Sequence, residues 1–144
     1  PCEMCIRDRG HTDYVFLISI YDPFEHMGVE QAEREEKTSA WVITGSYDKT
    51  VMVWDIRSGH LLKTLRGHKD SVTAMDLYVP KNGSEPPLLV TGSIDTLVIV
   101  WNLFTGEPLQ TLVGHTDRVC FICIHQPREG GYPLILIVQP KTGR

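Results

Sequence analysis

The sequence predicts an all-β chain built from repeated four-stranded antiparallel units, and three observations predict it. Thr44–Val72, shifted by 47 residues, falls on Thr91–Val119 with 15 of 29 positions identical. Self-similarity at a fixed period of this length marks a repeat array. Each copy also splits into short runs that alternate as strands do: Val51 and Val53 face one way, Met52 and Trp54 the other. Finally, the runs are separated by turn chemistry, with no helical periodicity between them. A third, partial copy opens the array, since Gly10–Val15 differs from Gly114–Val119 only at Tyr14.

Taken in order, Tyr14–Tyr21 reads as the first strand. Asp22–Ser39 follows as the longest irregular segment: Val15 to Thr44 spans 29 positions, Val72 to Thr91 only 19. Its centre, Val29–Lys37, is acidic, with Arg34 and Lys37 as helix-spaced partners. It reads as a solvated insertion on the face opposite the Gly-His loops, or as an acidic docking element for a basic partner. Trp41–Ser46 is the next strand and ends at the polar turn Tyr47-Asp48-Lys49. Thr50–Ile56, the turn Arg57-Ser58-Gly59 and the run His60–Arg66 complete the unit, and Gly67-His68 breaks the chain before Val72–Tyr78. The second copy repeats the order as Leu88–Ser93, Leu97–Leu103, Pro108–Val113 and Val119–His125, with Pro80–Pro87 as a Pro- and Gly-rich loop. The third unit continues with the loop Gln126–Pro133 and the strand Leu134–Val138, and then the pattern is lost, leaving His115 without matching partners.

These motifs resemble the WD40 repeats, which build β-propellers from four-stranded blades. The resemblance is carried by Gly10-His11, Thr44-Gly45-Ser46-Tyr47-Asp48 and Trp54-Asp55, then by Gly67-His68, Thr91-Gly92-Ser93-Ile94-Asp95 and Trp101-Asn102, and it covers about Gly10 to Ile137. It implies a partial β-propeller whose ring is not closed: residues 10–66 form blade one with its insertion at 22–39, 67–113 blade two, and 114–144 a truncated third blade. Propellers close with about four to eight blades, so a fragment of a longer protein is expected. The resemblance also implies a hydrogen-bonded tetrad in each blade, His11, Thr44, Asp48 and Trp54, then His68, Thr91, Asp95 and Trp101. A buried indole N–H needs an acceptor, and a strand hydroxyl supplies it, either Thr44 and Thr91 or Ser46 and Ser93. Asn102 stands where the first unit has Asp55, and either side chain caps a turn.

The net charge of −4 offers no basic field for nucleic acid. No apolar run approaches the roughly 18–20 residues of a membrane helix, and no signal peptide is visible, so a cytoplasmic or nuclear setting is expected. Met4-Cys5-Ile6-Arg7-Asp8-Arg9 resembles a translated sequencing adapter, and residues 1–9 are expected to be a non-native tail. Finding that hexapeptide in the genomic copy of the gene would sink this idea. Cys2-x-x-Cys5 and Cys120-x-x-Cys123 together suggest zinc or redox chemistry. Against it, the second pair sits in an expected strand, where residues three apart face opposite sides. Ordinary buried or half-buried thiols are expected at Cys120 and Cys123.

Two classes of function are weighed. The resemblance implies a non-catalytic scaffold that binds proteins or peptides, besides the rest of its own propeller, through loop residues beside the Gly-His and turn-Asp motifs. By position these are Thr12, Tyr14, Tyr47, Lys69, Ser71, Ile94, Thr116 and Arg118, with Tyr14, Tyr47 and Arg118 the types that most often anchor interfaces. The alternative is an enzyme using His11, His68, Asp48 and Asp95 as acid–base groups. Repetition argues against it, because each His has the same structural task in each copy, and no phosphate loop or nucleophile elbow appears. No cofactor or metal is expected.

Overall fold

Antiparallel pairing organises the chain into two four-stranded meanders and a two-stranded sheet in the computed structural model, which describes residues 10–23, 39–80, 85–125 and 134–138. Sheet 1 is β1 (Val15–Tyr21), β2 (Trp41–Ser46), β3 (Val51–Asp55) and β4 (Leu61–Leu65), in that order. Sheet 2 repeats it with β5 (Val72–Tyr78), β6 (Leu88–Ser93), β7 (Val98–Asn102) and β8 (Pro108–Leu112). Sheet 3 pairs β9 (Phe121–His125) with β10 (Leu134–Val138). The all-β class holds, and none of the three sheets closes on itself.

The repeat extends to the irregularities. Register shifts fall between Val15 and Leu17 against β2, and between Val72 and Ala74 against β6. The bulge at Val72/Ala74 has a consequence for packing. Residues two apart on a regular strand share a face, yet Val72 joins the core between sheets 1 and 2 whereas Ala74 joins the core between sheets 2 and 3. After the bulge Met75 and Leu77 return to the first core. One extra residue reverses the facing of the rest of the strand.

Alternation on β6 and β7 then feeds both neighbours. Leu89, Ile99 and Trp101 face sheet 1, where Ile43, Val51, Val53 and Leu65 meet them. Val90, Val98 and Val100 face Val119 and Ile122 on the other side. Sheet 2 is covered on both faces, so its two inner strands are almost continuously buried. At the end of the first core an aromatic group forms from Tyr21, Trp41 and Phe104, with ring centroids 5.5 to 5.9 Å apart.

Several expected elements end differently. Four inner and outer strands stop short of the expected ends, giving β3 as Val51–Asp55, β4 as Leu61–Leu65, β7 as Val98–Asn102 and β8 as Pro108–Leu112. The last of the expected strands of the repeat, Val119–His125, begins only at Phe121. The reason is local: the Val119 N–H donates to the Ser93 carbonyl and its own carbonyl accepts the Thr73 hydroxyl, so this backbone is tied to sheet 2 and not to β10. Cys120 therefore lies ahead of the strand and is exposed, a correction to the buried or half-buried thiol expected there; Cys123 is half-buried. The acidic Val29–Lys37 segment, Cys2, Cys5, Lys81–Ser84, Gln126–Pro133 and the last six residues lie outside the described residues.

Candidate functional site

The turn before β3 and the Gly-His loop before β1 are brought together by one carboxylate. Asp48 accepts the Thr50 N–H at 2.9 Å and the Thr12 N–H at 3.0 Å, and it meets His11 Nδ1 at 2.7 Å. The other imidazole nitrogen, Nε2, lies 2.6 Å from Thr44 Oγ1, which also accepts the Trp54 indole N–H at 2.9 Å. Sheet 2 repeats the connections: Asp95 to His68 Nδ1 at 3.2 Å, His68 Nε2 to Thr91 Oγ1 at 2.7 Å, and Trp101 Nε1 to Thr91 Oγ1 at 2.8 Å. Of the two hydroxyls left open by the sequence, the threonines hold this position. Ser46 and Ser93 instead donate to the Tyr14 and Asp70 carbonyls and accept the Asp48 and Asp95 N–H groups.

The donor count constrains the chain of bonds. The indole can only donate, so the threonine oxygen accepts from it; its remaining lone pair and its proton serve Nε2 and, for Thr44, the Met52 carbonyl at 3.4 Å. The imidazole Nδ1 faces the carboxylate, and a proton there is assigned from the network. The electrostatics agree. Burial holds His68 below its ordinary value, outweighing the attraction of Asp95. Burial pushes Asp95 up, but the N–H groups of Lys69 and Leu97 and then His68 hold it below the usual carboxylate value. Asp48 is likewise lowered, with the Thr50 hydroxyl leading the groups that overcome desolvation. That hydroxyl, 2.6 Å from Asp48 Oδ1, has no equivalent in sheet 2, where Leu97 stands in its place. The Asp-x-Thr spacing was a readable signal for it.

An Asp–His–Thr row has the order of a nucleophilic triad. Here the hydroxyl of Thr91 is fully buried and its oxygen is already capped by the indole N–H, so it has no path to a substrate. Asp55 and Asn102 cap the following turns in the same way, accepting the Arg57 N–H at 2.8 Å and the Phe104 N–H at 2.9 Å. Ser39 and the turn N–H groups of Arg57 and Ser58 lower Asp55 as well.

The loop residues divide. Tyr47, Ser71, Ile94 and Arg118 line one groove of about 470 Å³ where the three sheets meet. Asp13, Thr73 and Cys120 complete its wall; Asp13 and Thr73 were not singled out from sequence, and Cys120 was weighed there only for zinc or redox chemistry. Asp13 had a signal in its equivalents Asp70 and Asp117, since each accepts the N–H of the next residue at 2.7 Å. Tyr14 stands on the rim, edge-on to Tyr47 with centroids 6.2 Å apart. Lys69 and Thr12 do not line the groove; their N–H groups hold Asp95 and Asp48. The loops are stitched across sheets, Ser71 Oγ donating to the Tyr47 carbonyl and the Val119 N–H to Ser93. Among the described residues no group of three or more His, Cys, Asp or Glu side chains is placed to hold a metal ion, and no helix is long and apolar enough to cross a membrane.

Residues 36–55 and 59–102 match the model of the WD domain, G-beta repeat. The chain is 36% identical over 71 residues to the human dynein assembly factor with WD repeat domains 1, covering 48% of this chain and 16% of that protein. It is 35% identical over 76 residues to the nuclear distribution protein PAC1-2 of Postia placenta, covering 50% and 18%. Against the transcriptional repressor rco-1 of Neurospora crassa it is 33% identical over 72 residues, covering 49% and 9%. The chain thus spans less than a fifth of the length of these relatives. A crystal structure of RRP9 WD40 repeats overlaps with a TM-score of 0.49 at 29% identity, covering 57% of this chain and 23% of that one. The two matched stretches, one carrying Asp48 with the half-buried Trp54 and the other Asp95 with the buried Trp101, are similar to the WD40 repeat.

Proposed function

We propose that this chain contributes to a non-catalytic interaction platform, binding protein or peptide partners on the face that carries the Gly-His and turn-Asp loops. The observation that supports it most is the division of labour at that face. His11, His68, Asp48 and Asp95 are committed to internal bonds, while Tyr47, Ser71, Ile94 and Arg118 converge on an open groove beside them. Interfaces favour such a setting, with aromatic and Arg side chains displayed on a rigid scaffold. The tetrads act as struts: each fixes a loop of one strand pair to the turn of another. Partners that are proteins, rather than nucleic acid or membrane, fit the net charge of −4 and the mixed apolar and polar groove. The relatives' names, a repressor, a nuclear distribution protein and a dynein assembly factor, fit a nuclear or cytoplasmic setting and a regulatory or assembly role. The open face of sheet 1 is proposed as the seat of a further blade.

The test is a photo-crosslinking residue introduced at Tyr47 in one variant and at Leu109, on β8, in another. Selective capture of discrete proteins from Tyr47 is expected. Equal labelling from both positions, or none from Tyr47, removes the loop face from consideration.

A further inference from the structure

The chemistry of the groove goes one step further than the proposed interaction face, on which it rests. Its two aliphatic hydroxyls are already used: Ser71 donates to the Tyr47 carbonyl at 3.3 Å and Thr73 donates to the Val119 carbonyl. Tyr47 and Ile94, 43% and 38% exposed, give the groove apolar surface. Arg118 enters from the loop before sheet 3. Its backbone N–H is held by Asp117, but its guanidinium meets no carboxylate among the described residues, where both ion pairs are His–Asp contacts. Asp13, on the sheet 1 side, has one carboxylate oxygen occupied by the Tyr14 N–H. The groove is therefore polarised, with a cation on the sheet 3 side and a carboxylate on the sheet 1 side.

We infer that the groove takes an extended peptide that seats an apolar side chain against Tyr47 and Ile94 and an acidic side chain on Arg118. A guanidinium offers a carboxylate two parallel N–H donors, which makes this the strongest polar contact the groove can add. A nucleic-acid strand is the weaker fit, because Asp13 shares the groove and the chain is acidic as a whole. Only the residues already ordered by the stitched loops take part, so the site exists before the peptide arrives.

The inference is tested with fluorescein-labelled heptapeptides, Gly-Ser flanked, carrying Leu-Glu, Leu-Lys or Ala-Glu at the centre, titrated into the full chain by polarisation. Leu-Glu is expected to bind about fivefold to tenfold tighter than Leu-Lys, with Ala-Glu weaker than Leu-Glu. Arg118→Glu should reverse the charge preference, and its circular dichroism should match the parent. Equal binding of Glu and Lys peptides, binding of none, or a preference that survives Arg118→Glu overturns the inference. Failure of the broader reading looks different: Tyr47-selective crosslinking with no acidic preference removes the peptide chemistry alone, whereas loss of that selectivity removes the face itself.

Discussion

Sheets 1 and 2 carry the same tetrad at equivalent positions, yet one is enclosed and the other is not. Trp101 is 1% exposed and sits in the core between the sheets, whereas Trp54 is only half-buried. The cause is the neighbour. Met75, Leu77, Ile99 and Trp101 are covered by the sheet 1 side chains Ile43, Val51, Val53 and Leu65. The corresponding face of sheet 1 has Ile18 and Ile20 at 70% and 59% exposure. A blade of this kind makes its own hydrogen bonds but borrows its hydrophobic stabilisation from the sheet beside it. That is how a quasi-one-dimensional array is stabilised, unit by unit and interface by interface.

The comparison is sharpest at the indoles. Trp101→Ala should cost about 3–5 kcal/mol in urea unfolding of the chain, and Trp54→Ala less than half of that. Similar losses at the two positions would break the distinction. The glycines behind the second strands form the next pair. A Cβ on Gly92 would lie 2.5 Å from Val119 Cγ1 and 2.9 Å from Ile122 Cδ1, whereas on Gly45 the nearest atom is Leu17 Cδ1 at 3.1 Å. Overpacking makes Gly92→Ala cost about 1–3 kcal/mol, and Gly45→Ala should be milder by the same assay.

Replacing the bridging imidazole comes next. His68→Ala strands Thr91 and Asp95 in a buried setting, for about 1–3 kcal/mol; His11→Ala, nearer water, should cost less. The titration of the same groups gives a fourth test. His68 lies below its ordinary value in the folded chain, so its contribution is complete above about pH 6.5 and is lost as pH falls and the unfolded chain takes up the proton. Asp48 and Asp95 are lowered too, so theirs is present above about pH 4 and lost below it. His68→Gln should erase the upper step of the pH–stability profile and leave the lower one. The smallest effect belongs to the uncovered face: Ile18→Lys and Ile20→Lys should shift stability by no more than about 0.5 kcal/mol. Leu77→Lys, on the covered equivalent, should be strongly destabilising. A large loss at Ile18 would mean that some part of the chain covers sheet 1.

The sequence by itself determined the period, the ten strands, the turn caps at Asp55 and Asn102, and which residue types recur at the tetrad positions. These are local properties: alternation, turn preference and repetition are written in neighbouring residues. It did not choose between Thr44 and Ser46, because both lie on β2 and only the approach of the His11 ring settles which hydroxyl it meets. Nor did it show Lys49 and Thr96 with positive φ, at 76° and 71°, since neither is Gly and only the closure of the turn imposes that backbone. Cys120 was misplaced for the same reason: the bonds that draw Val119 toward sheet 2 come from Ser93 and Thr73, far away in sequence. The groove, too, is a tertiary product. Asp13, Tyr47, Ile94 and Arg118 come from separate loops, and they share one concavity only because burial of the apolar strand faces sets the sheets side by side.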